Sequence, residues 1–132
     1  GAGIALANLG RTYRGLGRFD DAAAAHQQAL IAFRELGYRQ NEASTLNSLG
    51  MTYRMWQRPE AARSCYARAL EVYRQAGSRH GEAETHRDLG DLLHSTGATA
   101  EARESWRRAL SLFLDLGDPG ADDVHSRLAR HR

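Results

Sequence analysis

Apolar side chains recur along this chain at intervals of three and four residues, the spacing that lines one face of an α-helix. Leu6, Leu9, Tyr13 and Leu16 form the first such stripe and predict a helix over 3–16. Arg18 and Phe19 turn the chain. Asp20 and Asp21 then put negative charge at the start of a second helix, where its dipole favours it, and that helix runs to about Leu36. Its inner face carries Ala22, His26, Ala29, Leu30 and Phe33. Gly37 ends it, because glycine tolerates the left-handed conformation that closes a helix. A third helix is predicted over about 39–56, with Leu46, Leu49 and Tyr53 inward. Pro59 opens a fourth, at a position whose amide would lack a partner anyway, and Ala62, Tyr66, Ala69, Leu70 and Tyr73 follow before Gly77. Ser78 is a candidate N-cap for a fifth helix striped by Leu89, Leu92 and Leu93. Thr99 is the candidate cap of a sixth, which carries Ala102, Trp106, Ala109, Leu110 and Phe113 up to Gly117. Asp118 and Pro119 restart a short helix over 119–130; Ala121, Val124 and Leu128 are its apolar line, and Asp122, Asp123, Arg127 and Arg130 face the other way.

The stripes themselves repeat. Leu9-Gly10, Leu49-Gly50 and Leu89-Gly90 stand 40 residues apart, as do Ala22, Ala62 and Ala102; Ala29-Leu30, Ala69-Leu70 and Ala109-Leu110; and Gly37, Gly77 and Gly117. A fixed period of this length marks a stack of helix pairs in which each pair contacts only its neighbours. The expected fold is therefore all-α: a right-handed α-solenoid of three helix pairs plus a C-terminal capping helix. Its boundaries are 1–38, 39–78 and 79–118 for the repeats and 119–132 for the cap, all one domain. The phase of the repeat would begin the first helix before Gly1, so the chain reads as a fragment of a longer protein.

Glycine inside a helix costs about 1 kcal/mol relative to alanine, so its recurrence in every unit calls for a compensating reason. Without side chains, Gly10, Gly50 and Gly90 let the other helix of the same unit approach closely. The alanines at 22, 62 and 102 and at 29, 69 and 109 do the same from the opposite side. Tyr13, Tyr53 and Leu93, together with His26, Tyr66 and Trp106, then fill the remaining gaps.

Composition narrows the function. The chain is 42% hydrophobic and 26% charged, an ordinary globular balance. It contains no apolar run long enough to span a membrane. All 18 basic residues are arginine, and the formal net charge is only +2, so the pI near 9.0 does not by itself imply nucleic acid. Direct nucleic-acid binding, which would use Arg11, Arg14, Arg18, Arg54 and Arg58, is the less favoured class. The single cysteine, Cys65, cannot form an internal disulfide and fits a reducing, cytoplasmic location. The sequence holds no Gly-rich phosphate loop, zinc-type cysteine pair or HExxH. Asp91, His94 and His86 share a helix without supplying a full ligand set. No enzyme, metal or cofactor is expected.

The pattern Leu46, Leu49-Gly50, Tyr53, Ala62, Tyr66, Ala69 resembles the tetratricopeptide repeat (TPR), and the three units cover nearly the whole chain. The family's tryptophan is replaced by Leu6, Leu46 and His86, and its proline after the second helix by Arg34, Arg74 and Leu114. The long unit is similar to the repeats of kinesin light chain and of cell-polarity adaptors. With the arginine-only, alanine-rich composition it also resembles the C-terminal TPR region of actinobacterial regulators of the Streptomyces antibiotic regulatory protein type and of related signal-transducing ATPases. The resemblance implies a non-enzymatic protein-interaction module, a scaffold or sensor within a larger bacterial transcriptional or signalling regulator.

In that family the first helix of each pair lines a concave groove. The residues this points to for partner binding are Asn8, Arg11 and Arg14; Asn47, Ser48, Met51 and Arg54; and Arg87, Asp88, Asp91 and His94. Asn8 matches the groove asparagine of the long-repeat members, which Ser48 and Asp88 replace in the next units. A carboxylate clamp for chaperone C-termini is not implied, because Ala7, Ser48, Glu84 and Asp88 stand where that clamp needs basic or amide groups. Basic Arg11, Arg14 and Arg54 against acidic Glu84, Asp88 and Asp91 suggest a charge gradient that would orient a peptide or partner helix. The same residues also suit a plain solvated helix face, and a segment for self-association of the parent protein is the alternative function.

Overall fold

The computed structural model describes residues 1–132. Seven α-helices follow one another: α1 (Ala2–Gly15), α2 (Phe19–Leu36), α3 (Arg39–Met55), α4 (Pro59–Ala76), α5 (Arg79–Ser95), α6 (Thr99–Leu116) and α7 (Gly120–Arg130). Helices α1 and α2, α3 and α4, and α5 and α6 pack as pairs, each pair lies against the next, and α7 packs on α6. The architecture is an all-α helical-repeat solenoid. Helix α3 touches both α1 and α5, so α1, α3 and α5 form one layer. Between α4 and α6 the tie is an exposed ion pair, Arg63–Glu101 at 2.7 Å.

Local chemistry sets the helix ends. Gly37, Gly77 and Gly117 close α2, α4 and α6 in the left-handed conformation, with φ of 71°, 71° and 65°. The turn inside each pair also needs positive φ, supplied by Gly17 and Gly97 but in the middle unit by Gln57 at 60°. Ser78 accepts from the Gly81 amide at 3.4 Å, as a cap should. Thr99 does not cap α6: it is the first helical residue, and Ala98 holds the cap position without a side-chain bond. Asp118 Oδ1 accepts from the Gly120 amide at 2.7 Å, and Pro119 stands one residue before α7.

The interior glycines face the large residues of the partner helix. A Cβ on Gly10 would lie 2.6 Å from His26, on Gly50 2.7 Å from Tyr66, and on Gly90 2.4 Å from Trp106. Each ring therefore occupies the space that a side chain on the inner helix would take. Ala22, Ala62 and Ala102, and Ala29, Ala69 and Ala109, are all fully buried. Helix α2 is joined to α3 by Arg34–Glu42 (3.0 Å) and α4 to α5 by Arg74–Glu82 (3.1 Å). The two arginines that depart from the family's proline position are thus ties between units.

Two expectations for α1 and α7 need correction. Leu9 and Leu16 are 41% and 66% exposed, although Leu49, the counterpart of Leu9, is fully buried in one cluster with Ala23 and Leu30 of α2. Among residues 1–132 no helix lies over this face of α1, so the stripe that α3 buries is open on it here. Arg127 does not turn away with Asp122 and Asp123. It bends back to Asp91 on α5, through Nε at 2.7 Å and Nη2 at 3.1 Å.

Candidate partner-binding groove

Two hollows line the inner layer. The first, about 330 Å³, is walled by Ile4, Asn8 and Arg11 of α1, Ser44 and Ser48 of α3, and Glu84 of α5. The second, about 310 Å³, lies between Arg54 of α3, Asp91 and His94 of α5, and Asp123, Arg127 and Arg130 of α7. Asn8, Arg11 and Ser48 therefore fall in the first, and Arg54, Asp91 and His94 in the second.

Of the other candidates, Arg14, Asn47 and Asp88 are drawn into ties between helices. Arg14 donates to the Ser48 carbonyl at 3.1 Å, linking α1 to α3. Asn47 donates to Thr85 Oγ1 at 3.0 Å and to Asp88 Oδ2 at 3.2 Å, linking α3 to α5. Arg87 lies beside Asp88, with Nη2 3.3 Å from Oδ1. Burial nonetheless raises the Asp88 carboxyl above its usual range, the arginine and the asparagine pulling the other way. Met51 is half-buried. Arg11 donates to Asn8, one turn before it on α1. Gln40, Asn41 and Thr45 also border the first hollow, before the groove positions to which the family resemblance points on α3.

The expected charge gradient is largely cancelled within the protein. Asp91 accepts both Arg127 nitrogens and the Trp106 Nε1 at 3.0 Å, and the hydrogen bond to Asp91 raises the Arg127 pKa further. Asp88 is held by Asn47 and Arg87, and Glu84 faces His80 at 3.4 Å. Charge-assisted bonds of this kind occupy Asp91 and Asp88, whereas Glu84 keeps 44% of its side chain exposed beside a histidine. By contrast, Arg11, Arg14 and Arg54 have no carboxylate within ion-pair distance.

Beneath the groove lie three rings in register. His26 is completely buried, its two nitrogens have no partner, and burial with the nearby Arg14 and Arg11 lowers its pKa to about 4. Tyr66 is likewise buried with its hydroxyl unpartnered. Trp106 alone is satisfied, by Asp91; the corresponding residues are Met51 above Tyr66 and Arg11 above His26. His86 and His94 do not converge: His86 is buried near Glu82, whereas His94 packs on Trp106 and on His131, with ring centroids 5.7 and 4.0 Å away. Cys65 is buried, and desolvation pushes its thiol up to about 11, away from the range of a nucleophile. No helix is long and apolar enough to cross a membrane.

The sequence profile of the tetratricopeptide repeat matches residues 2–75 and 57–115. The chain belongs to the tetratricopeptide repeat family. Its solved likenesses are TPR-type structures of low identity, and they bear on the fold alone. BtubC (BKLC) of P. vanneervenii superposes with a TM-score of 0.72 at 23% identity, over 96% of this chain and 61% of its own. A kinesin-light-chain-type protein of Podosopora anserina with nearly identical TPR-like repeats gives 0.78 at 13% identity, over 97% and 64%. The N-terminal domain of stress-induced protein-1 from C. elegans gives 0.76 at 20% identity, over 97% and 94%. The TPR chain thus spans about three fifths of the length of the first two. No curated protein sequence matches it. The TPR fold is typical of protein–protein interaction scaffolds.

Proposed function

We propose that this TPR domain is a non-enzymatic binding module that holds a peptide or a partner domain in the groove of α1, α3 and α5. The observation that carries the reading is the first hollow, about 330 Å³ and walled by polar side chains from three successive inner helices. A floor built by helices from separate repeats is stiff, because each helix is locked to its neighbour by Arg14–Ser48 or Asn47–Asp88. A stiff surface loses little entropy when it binds an extended chain. The arginine- and alanine-rich composition supports a place in a bacterial transcriptional or signalling regulator, where such a module would link the protein to its partner.

The test is selection from a random 12-residue peptide library displayed on phage. Enriched peptides should lose binding when Ser48→Arg or Asn8→Arg obstructs the hollow, with the helical signal at 222 nm unchanged. Enrichment of nothing, or of peptides indifferent to both changes, rejects the reading.

Self-association is a second reading, favoured by one observation. Ala2, Ala5, Leu9, Thr12 and Leu16 of α1 lie exposed on one stripe, at the alternating three- and four-residue spacing of a helix–helix seam. Light scattering across a hundredfold concentration range, with Leu9→Lys as the control, tests it; a strict monomer throughout dismisses it.

A further inference from the structure

Away from the groove, charge of one sign gathers in the cleft where α7 rests on α6. We propose that this cleft is an anion site that takes the phosphate group of a small organic phosphomonoester. It is a hollow of about 380 Å³ walled by Arg103, Arg107 and Leu110 of α6, by His125 and Leu128 of α7, and by Arg132 just beyond α7. No residue of α1, α3 or α5 contributes, so the site stands or falls apart from the groove reading. Three guanidinium groups and an imidazole border it, and no aspartate or glutamate does. A cleft lined by charge of one sign concentrates its field on the space between the walls.

Half-buried Arg103 is held at the seam of the two helices, where its Nη1 donates to the Leu128 carbonyl at 2.9 Å and to the His131 carbonyl at 2.6 Å. The carbonyls at the negative end of α7 are thereby satisfied, and Nε and Nη2 of Arg103 make no hydrogen bond within the protein. Arg107 stands one turn further along α6 and is exposed. Its one acid, Glu104 at 3.8 Å, lies closer to Arg108, at 3.3 Å, and outside the hollow. The preceding unit shows the contrast. Arg63 and Leu70 hold on α4 the positions that Arg103 and Leu110 hold on α6, and they too line a hollow, of about 370 Å³. There every arginine has its acid: Arg63 meets Glu101 at 2.7 Å, Arg74 meets Glu82 at 3.1 Å, and Arg108 meets Glu104 at 3.3 Å. An anion from outside would supply to the α6–α7 cleft what those carboxylates supply to its counterpart. A phosphomonoester suits it best, with a charge of about −1.5 to −2 near pH 7 and three acceptor oxygens that guanidinium groups meet with paired hydrogen bonds. A carboxylate carries a single charge and leaves two of the three arginines unbalanced. Half-buried Leu110 and Leu128 offer an apolar surface to an organic body, and the volume falls within the range of small-molecule sites, about 300–1,000 Å³.

The experiment titrates the isotope-labelled chain with phenyl phosphate, inorganic phosphate and benzoate, at pH 7.5 and constant ionic strength, and follows the backbone amide shifts. Phenyl phosphate is expected to move amides of α6 and α7 and to leave those of α1 and α3 in place. It should bind at least fivefold tighter than benzoate, which has the ring without the second charge, and than inorganic phosphate, which has the charge without the ring. R107Q/R132Q changes two exposed residues that make no hydrogen bond within the protein. It should weaken phenyl phosphate at least fivefold with the melting temperature unchanged. R58Q/R68Q removes the same charge from exposed positions at and beyond the start of α4, and should leave the affinity intact, which separates the site from general attraction to a basic protein. Benzoate or inorganic phosphate binding as tightly as phenyl phosphate, shifts that are absent or lie outside α6 and α7, an affinity that survives R107Q/R132Q, or an equal loss in R58Q/R68Q overturns the assignment. None of these results bears on the groove, whose peptides are tested at Asn8 and Ser48.

Discussion

Gly50→Ala is the most direct trial of how the helices nest. On a free helix the change should stabilise by about 1 kcal/mol, since alanine is the better helix former. Here the new Cβ would lie 2.7, 2.9 and 3.1 Å from three carbons of the Tyr66 ring. Tyr66 is fully buried, so its ring cannot swing into solvent and the two helices must part by several tenths of an ångström. Overpacking of this kind costs about 1–3 kcal/mol, occasionally more. The clash outweighs the propensity gain, and the expected net loss is about 1–2 kcal/mol. With an m-value of about 1.5 kcal/mol/M, the urea midpoint falls by about 1 M. Gly15→Ala is the matched control. It is the same substitution, at the end of α1, with nothing within 4 Å of the added Cβ. It should raise the midpoint or leave it unchanged. Equilibrium unfolding followed at 222 nm reads both. Adding Tyr66→Leu to Gly50→Ala should recover part of the loss, because the shorter side chain vacates the contested space. A Gly50→Ala midpoint at or above that of the wild type would refute the claim that the interior glycines make room for rings.

Further outcomes follow from other contacts. Gln57→Gly should stabilise the chain by up to about 1 kcal/mol, because Gln57 holds a φ of 60° where the other units use glycine; a lower urea midpoint would count against strain there. Arg127→Leu should release α7 from Asp91, seen as faster hydrogen exchange of the α7 amides with α1–α4 unchanged; unaltered exchange would mean that apolar contacts alone hold the cap. His26 and His86 are buried with pKa values lowered to about 4 from 6.5, so the unfolded chain binds more protons between those values. Their contribution is whole above pH 6.5 and lost as pH falls to 4, approaching about 3 kcal/mol for each at 1.36 kcal/mol per pKa unit. Asp88, raised by burial, works the other way in the carboxylate range. Midpoints at pH 7 and 4.5 should therefore differ, less so in His26→Tyr, and equal midpoints would dismiss the effect. Cys65, raised from 9.0 to about 11, should react with a thiol reagent at pH 8 about a hundredfold more slowly than in the unfolded chain. A native rate close to the unfolded one would show that the thiol is accessible.

What could be read without coordinates was whatever a single helix or a fixed interval encodes. Helical periodicity lies within a few residues, so all seven helices are legible, as are the glycines that end α2, α4 and α6. The 40-residue interval likewise exposed the repeat, because identical packing demands identical small residues such as Ala62 and Ala102. The groove candidates could be named by helix face, since a face follows from angle alone. Which of their charges remain available could not. Asp91 meets Arg127 across 36 residues and Asp88 meets Asn47 across 41, pairings fixed by where long side chains from different helices end. The repeat predicted an acidic end to the groove, and only tertiary packing showed Asp88 and Asp91 of that end paired with arginines while Arg11, Arg14 and Arg54 stayed free of carboxylates. The exposure of Leu9 was likewise undecidable from its own helix, because an apolar side chain is buried only if another helix lies over it. Local geometry depends on neighbours in the chain. Neutralisation and coverage depend on neighbours in space.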